Sequence, residues 1–184
     1  MRIYRGLVLL AALATISLSF SCVSAPPPSG VSTIRLVGPE DLSRFGNSFA
    51  TNPYLAPTSF IRSNVDRYFV FEFSLSLRES TRISATAELV DGSGTRIAEA
   101  LSRQDLVDRR AIYTPDPADA KGKSVLASSY LPDADFKARS GIAIYYLVVI
   151  APKGISDPTF AQAELDIDGQ DPIVFKTEVS QRGK

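Results

Sequence analysis

Three features of this sequence predict an all-β fold, an antiparallel β-sandwich of about eight strands. From residue 32 onward apolar and polar residues alternate with a period of two, the mark of strands that bury one face. Gly, Pro and Asp clusters punctuate these runs at regular intervals, where the chain must turn. No long amphipathic helical pattern interrupts them.

The elements follow in order. Residues 33–37, Thr-Ile-Arg-Leu-Val, give a first strand, and 39–45 has the length for a short helix. Phe69, Phe71, Phe73, Leu75 and Leu77 then alternate with Val70, Glu72, Ser74 and Ser76, which turns the phenylalanines toward a core and Glu72 to the other face. After Arg78-Glu79-Ser80 the pattern resumes, with Ile83, Ala85, Ala87 and Leu89 against Arg82, Ser84, Thr86 and Glu88. Asp91-Gly92-Ser93-Gly94 supplies residues that tolerate positive φ, so 95–101 returns as a hairpin partner. Residues 103–110 suit a second short helix, and 124–131 a weaker strand. Residues 142–150, Ile-Ala-Ile-Tyr-Tyr-Leu-Val-Val-Ile, are apolar on both faces, which predicts a central strand covered on both sides and stopped at Pro152-Lys153-Gly154. A last hairpin pairs 160–167 with 173–179 around Asp168-Gly169-Gln170-Asp171-Pro172.

Residues 135–141, Asp-Phe-Lys-Ala-Arg-Ser-Gly, leading to Tyr145, loosely resemble the approach to the penultimate strand of immunoglobulin-like domains. The likeness spans about a dozen residues and implies an immunoglobulin-like architecture, without the cysteine pair and core tryptophan of antibody domains.

The first twenty residues belong to no fold. Arg2 and Arg5 precede an apolar stretch, residues 7–18, too short for a spanning helix, which takes about 20 apolar residues, and small residues follow it. This is the three-part form of an export signal. Two cleavage sites compete. Val23-Ser24-Ala25 has the small-x-small form of an ordinary signal peptidase site, but Pro26 would follow the cut. The alternative cuts before Cys22: Leu18-Ser19-Phe20-Ser21-Cys22 resembles a relaxed lipobox of bacterial lipoproteins, of the kind found in spirochaetes, with Ser19 where the usual pattern has Leu. The resemblance implies that Cys22 carries diacylglycerol through a thioether, is acylated as the new N-terminus, and holds the protein to a membrane of the cell envelope. Ala25-Pro26-Pro27-Pro28-Ser29-Gly30 then reads as an extended spacer. The organisation expected is a lipoprotein signal peptide at 1–21, lipidated Cys and tether at 22–31, and a β-sandwich at 32–184.

Composition excludes whole classes of chemistry. The chain has 184 residues, 20 Lys+Arg against 20 Asp+Glu, one Cys, one Met, no His and no Trp. Without His there is no ordinary proton shuttle near neutral pH and no imidazole metal ligand. A lone Cys permits no internal disulfide. Balanced charge argues against nucleic acid as a partner. Removing residues 1–21 takes away Arg2 and Arg5 and leaves the rest slightly acidic, so the acyl group rather than a basic field is expected to carry membrane attachment.

Candidate sites were weighed against this inventory. Asp166, Asp168 and Asp171 are the carboxylates with metal-like spacing, but the further oxygen ligands of a calcium loop are missing and the segment reads as a hairpin turn. The pairs Asp133 with Asp135 and Asp116 with Asp119 have no better claim. There is no Gly-x-Ser-x-Gly elbow, no glycine-rich phosphate loop and no Ser-x-x-Lys in the exported domain, so no catalytic residue, cofactor or metal is expected. Two stretches read as long loops, 45–64 and 103–123. Their Phe49, Tyr54, Phe60, Arg109, Arg110 and Tyr113 either cap one end of the sandwich or form a surface for a protein partner.

The resulting expectation is a membrane-anchored envelope lipoprotein whose non-enzymatic β-sandwich is a structural or protein-binding module with an envelope protein partner. A surface-exposed adhesin or host-interaction lipoprotein is the nearest alternative, and an envelope carbohydrate-binding protein or hydrolase comes from a different class.

Overall fold

The period-two runs become two antiparallel sheets packed face to face. A computed structural model describes residues 31–57, 67–113, 116–131, 136–151 and 159–179. The first sheet has the order β1 (Thr33–Val37), β2 (Arg67–Leu77), β6 (Gly141–Ala151). The second has the order β4 (Arg96–Glu99), β3 (Thr81–Asp91), β7 (Thr159–Ile167), β8 (Ile173–Val179), and β5 (Phe136–Ala138) shares the β4 edge of β3. In immunoglobulin lettering these are A-B-E against C′-C-F-G, so the sandwich has the expected immunoglobulin-like strand order. The strand that follows 135–141 is not the penultimate one, however. It is β6, the strand immediately before the penultimate one, and it pairs with β2 along its full length.

Alternation on β2 sets the core. Phe71, Phe73, Leu75 and Leu77 are buried, and the Phe71 ring meets Phe175 of β8 edge to face at 6.3 Å, which identifies the odd-numbered side as the one facing the second sheet. Opposite them stand Ala85, Ala87, Ala161 and Ala163 with Ile83, Leu89, Leu165 and Ile167. Large rings on one sheet thus meet small side chains on the other, the complementarity that close packing needs.

Both hairpins form as the turn residues dictate. Asp91 closes the first: its Oδ1 accepts from the Ser93 hydroxyl at 2.6 Å and from the Ser93 and Thr95 N–H groups at 2.9 Å, while Gly94 takes φ +85°. These donors, the Ser93 hydroxyl foremost, hold the Asp91 carboxyl below its ordinary pKa. In the second, Gly169 takes φ +78° and Gln170 N–H donates to Ile167 O at 2.9 Å. Asp166 and Asp168 are both exposed, as their alternation with Leu165 and Ile167 requires.

Three expectations need correction. The stretch 103–123 is not a loop: it holds α1 (Arg103–Tyr113) and the start of α2 (Asp116–Ser129), and α2 also replaces the strand expected at 124–131. Ser102 and Asp105 form a reciprocal N-terminal cap on α1, with Asp105 N–H donating to Ser102 Oγ at 3.0 Å and Ser102 Oγ–H to Asp105 Oδ2 at 2.6 Å. Secondly, β6 is an edge strand and β2 the central one. Tyr146, Leu147, Val148 and Val149 are nevertheless all buried, because one face packs on the second sheet and the other lies under added structure. Thirdly, at 39–45 only a single 3-10 turn forms, Ser43–Phe45. Glu72 opposes the core as its alternation requires, and it is 5 % exposed because that face is covered.

The added structure is a strap, residues 38–57, and the two helices. Asn52 folds the strap on itself: its Nδ2 donates to Leu42 O and Gly46 O, both at 2.8 Å, and its Oδ1 accepts from Tyr54 N–H at 3.1 Å. The free edge of β6 is engaged from the same side. Leu101 N–H donates to Val148 O at 2.9 Å and Leu131 N–H to Tyr146 O at 3.0 Å. The chain enters β1 at one end of the sandwich, beside the turns at 78–80, 139–140 and 168–172; the turn at 92–95 is at the other end.

Candidate functional site

The outer face of the three-stranded sheet is where polar and aromatic side chains concentrate. The strap lays Phe45 and Tyr54 against Tyr146 of β6, with ring centroids 5.6 and 4.8 Å apart, and Tyr54 stacks on Tyr130 at 6.5 Å. Each phenol has a partner. Tyr54 Oη shares a hydrogen bond with Ser129 Oγ at 2.6 Å, Tyr130 Oη–H donates to Leu101 O at 2.7 Å, and Tyr146 Oη–H donates to Glu72 Oε2 at 2.8 Å. Burial, only partly offset by the Ser129 hydrogen bond, pushes the Tyr54 phenol well above its ordinary pKa of 10.

Glu72 anchors this face. Besides Tyr146 it accepts from Arg35 Nε at 2.8 Å, and the Arg44 guanidinium lies 3.6 Å from Oε2. Arg44 also sits over the Phe45 and Tyr146 rings at 5.0 and 5.3 Å. The Glu72 hydrogen bond raises the Arg35 pKa. A buried carboxylate is tolerable here because its oxygens meet cations and a phenol.

The second concentration lies between strap and helices. Arg110 of α1 is fully buried, with Nε and Nη2 on Asp119 Oδ1 at 2.8 and 2.5 Å. Its other donors reach Phe49 O at 2.8 Å and Ala50 O at 3.0 Å, and its guanidinium lies 4.7 Å from the Phe49 ring centroid. Lys123 faces Asp119 Oδ2 at 3.6 Å. The guanidinium packs so closely on α2 that a Cβ at Gly122 would collide with it.

The structure brings together Phe49, Arg110 and Tyr113 from the two stretches singled out in the sequence, with Arg109 half-buried on the same helix, and places Tyr54 in the separate cluster with Tyr130 and Tyr146. It also changes their roles. Tyr54 and Arg110 lie in the interior and offer a partner nothing. What remains at the surface is Tyr113, 47 % exposed, next to Ile112, 77 % exposed, with Phe49 edge-on to Tyr113 at 6.0 Å. Cys22 and Phe60 lie outside the described residues. Sequence reasoning missed Glu72, Tyr130 and Tyr146, and reached Asp119 only as one of a pair of carboxylates with no metal claim. Glu72 had a signal: a lone carboxylate in the middle of an otherwise apolar strand.

A cleft of about 520 Å³ opens beside β4, floored by Ala85, Ala87, Leu101, Leu131 and Leu147, with Glu88, Arg96 and Glu99 at its rim. Arg96 is paired to Glu99 at 2.9 Å. Among the described residues no three His, Cys, Asp or Glu side chains converge as a metal site would require, and no helix is long and apolar enough to cross a membrane. The chain matches no family model, no curated protein and no solved structure.

Proposed function

We propose that this chain is a bacterial envelope lipoprotein, anchored through Cys22 and presenting its β-sandwich as a non-enzymatic structural or protein-binding module. The observation that carries the reading is the order along the chain. An export signal ends at the only cysteine, a proline-rich spacer follows, and the first strand starts at Thr33. The buried ionisable groups support the second half of the reading: Glu72 is engaged by Arg35 and Tyr146, and Asp119 by Arg110, which is how such groups serve a fold. The surface offered to a partner is the Phe49, Ile112 and Tyr113 patch together with the cleft beside β4.

Radiolabelled palmitate fed to the native host tests the anchor. Label should enter the protein and disappear in Cys22→Ala, which should also leave the membrane fraction. Membrane attachment that survives Cys22→Ala would refute the anchor. Cross-linking in intact cells should capture one envelope protein, and Ile112→Asp should abolish the adduct; an adduct unaffected by substitutions in the patch or the cleft would move the binding surface elsewhere.

A further inference from the structure

We propose that the end of the sandwich where the chain enters β1 rests on the bilayer surface, with Val31 and Ile142 at headgroup level and Arg78, Arg82, Lys137 and Arg139 facing lipid phosphates. This deepens the lipoprotein reading and rests on the anchor at Cys22.

Nine residue steps separate Cys22 from Val31, and a chain spans at most about 3.3–3.6 Å per residue, so the tether reaches roughly 30 Å. The sandwich is longer than that: β3 runs for 11 residues, roughly 36 Å at about 3.3 Å each. An inverted domain, with the 92–95 turn on the membrane, would need a tether longer than the one available. The entry end is therefore held close to the lipid.

In the register of β1, β2 and β6, Ser76 lies opposite Ile142, and Ser76 N–H donates to Ser32 Oγ, which puts Val31 in the same row. Val31 is 82 % and Ile142 65 % exposed, two β-branched apolar side chains on one face and in one row of the sheet, flanking Ser76, with nothing over them among the described residues. Single exposed apolar residues are ordinary, but a pair at the anchored end fits the interfacial zone of a bilayer.

Arg35, Arg44, Arg96 and Arg110 pair with carboxylates, Arg103 donates to Tyr130 O, and Arg67 stacks on Phe69. By contrast, Arg78, Arg82 and Arg139, with Lys137, are exposed and make no ion pair with any described carboxylate. All four stand at the entry end, in the turns at 78–80 and 139–140 or on the first rows of β3 and β5. Glu79, Asp168 and Asp171 share that end, so it carries a small positive excess on an otherwise slightly acidic domain. Such an excess orients a tethered domain on anionic lipid without itself providing the attachment.

The test uses full-length lipidated protein in phosphatidylethanolamine–phosphatidylglycerol vesicles. A fluorophore is placed at Ile142→Cys or, at the far end, at Ser93→Cys, and quenched from spin-labelled lipid. Both positions are exposed; Ser93→Cys gives up a surface hydrogen bond to Asp91, and a thermal melt of each labelled protein checks that it is folded. The label at 142 should be quenched several-fold more than the label at 93. That contrast should shrink in the triple variant Arg78→Gln, Arg82→Gln, Arg139→Gln and on phosphatidylcholine alone. Equal quenching at both positions in protein that floats with the vesicles would overturn the orientation and leave the anchor standing. So would a label at 142 shielded by a bound protein rather than by lipid. Protein that fails to float would overturn the anchor, and the orientation with it.

Discussion

Arg110 of α1 and Asp119 of α2 are joined by two hydrogen bonds to a single carboxylate oxygen, with the arginine side chain 0 % and the aspartate 1 % exposed. The remaining guanidinium donors hold the carbonyls of Phe49 and Ala50, so one side chain ties together both helices and the strap. Removing either member strands a charge in the interior. Asp119→Ala and Arg110→Ala should each lower unfolding stability by about 3–5 kcal/mol, read from urea midpoints. The double variant Arg110→Met, Asp119→Leu should recover part of that loss, because it strands no charge.

Gly122 makes an unusual prediction for a helix interior. Replacing glycine with alanine ordinarily stabilises a helix by about 1 kcal/mol. Here the added methyl would occupy the space of the Arg110 guanidinium, so Gly122→Ala should destabilise the protein. In an Arg110→Ala background, where that space is empty, the same substitution should become neutral or favourable. A thermal melt of the four proteins in this cycle decides the matter.

Tyr146→Phe removes one donor from the buried Glu72 carboxylate and leaves the ring packing intact. A hydrogen bond to a charged group contributes about 1.5–3 kcal/mol, and a loss of that size is expected. Amide exchange should quicken over 43–57 more than over β7 and β8, because Glu72 sits under the strap and far from the second sheet's outer hairpin.

Tyr54 sets an alkaline limit. Its folded pKa lies above the ordinary value of 10, so the folded state holds the phenol proton more tightly than the unfolded chain does. The associated stability is complete below pH 10 and declines as pH rises beyond it. Tyr54→Phe should be less stable than the natural protein at pH 8, by about 1 kcal/mol for the lost Ser129 hydrogen bond. The gap should narrow by pH 11, as measured by urea midpoints at the two pH values.

The strands were legible because their cause is local: alternation selects a face, and Asp91, Gly94 and Gly169 permit the turns. The helices were not, and α2 shows why. Its inward positions, Asp119, Gly122, Leu126 and Ser129, follow helical spacing, yet only one is a large apolar residue, so hydrophobic periodicity does not register them. What buries that face is Arg110, a residue on another helix. Pro117 in the first turn was the available cue. The burial of Glu72 is hidden for a related reason. Alternation shows that it opposes the core, but its burial depends on the strap, which is fixed by Asn52, Phe45 and Arg44 through contacts distant in sequence. Phe49, Tyr54, Arg110 and Tyr113 stand out in two stretches rich in aromatic and arginine residues, and their division into interior and surface needs the fold.

The occupied edge of β6 has a consequence for how copies of this protein meet. Residues 142–150 are nearly uninterrupted apolar, β-prone sequence, the composition that stacks into fibrils when its backbone is bare. Over the stretch where all four residues from Tyr146 to Val149 are buried, Leu101, Leu131 and the Tyr130 phenol take up the outward backbone groups. None of the three comes from a strand that could itself recruit another. The helical insertion thereby works as a terminator of sheet growth over 146–149, the buried half of the segment with the greatest tendency to polymerise.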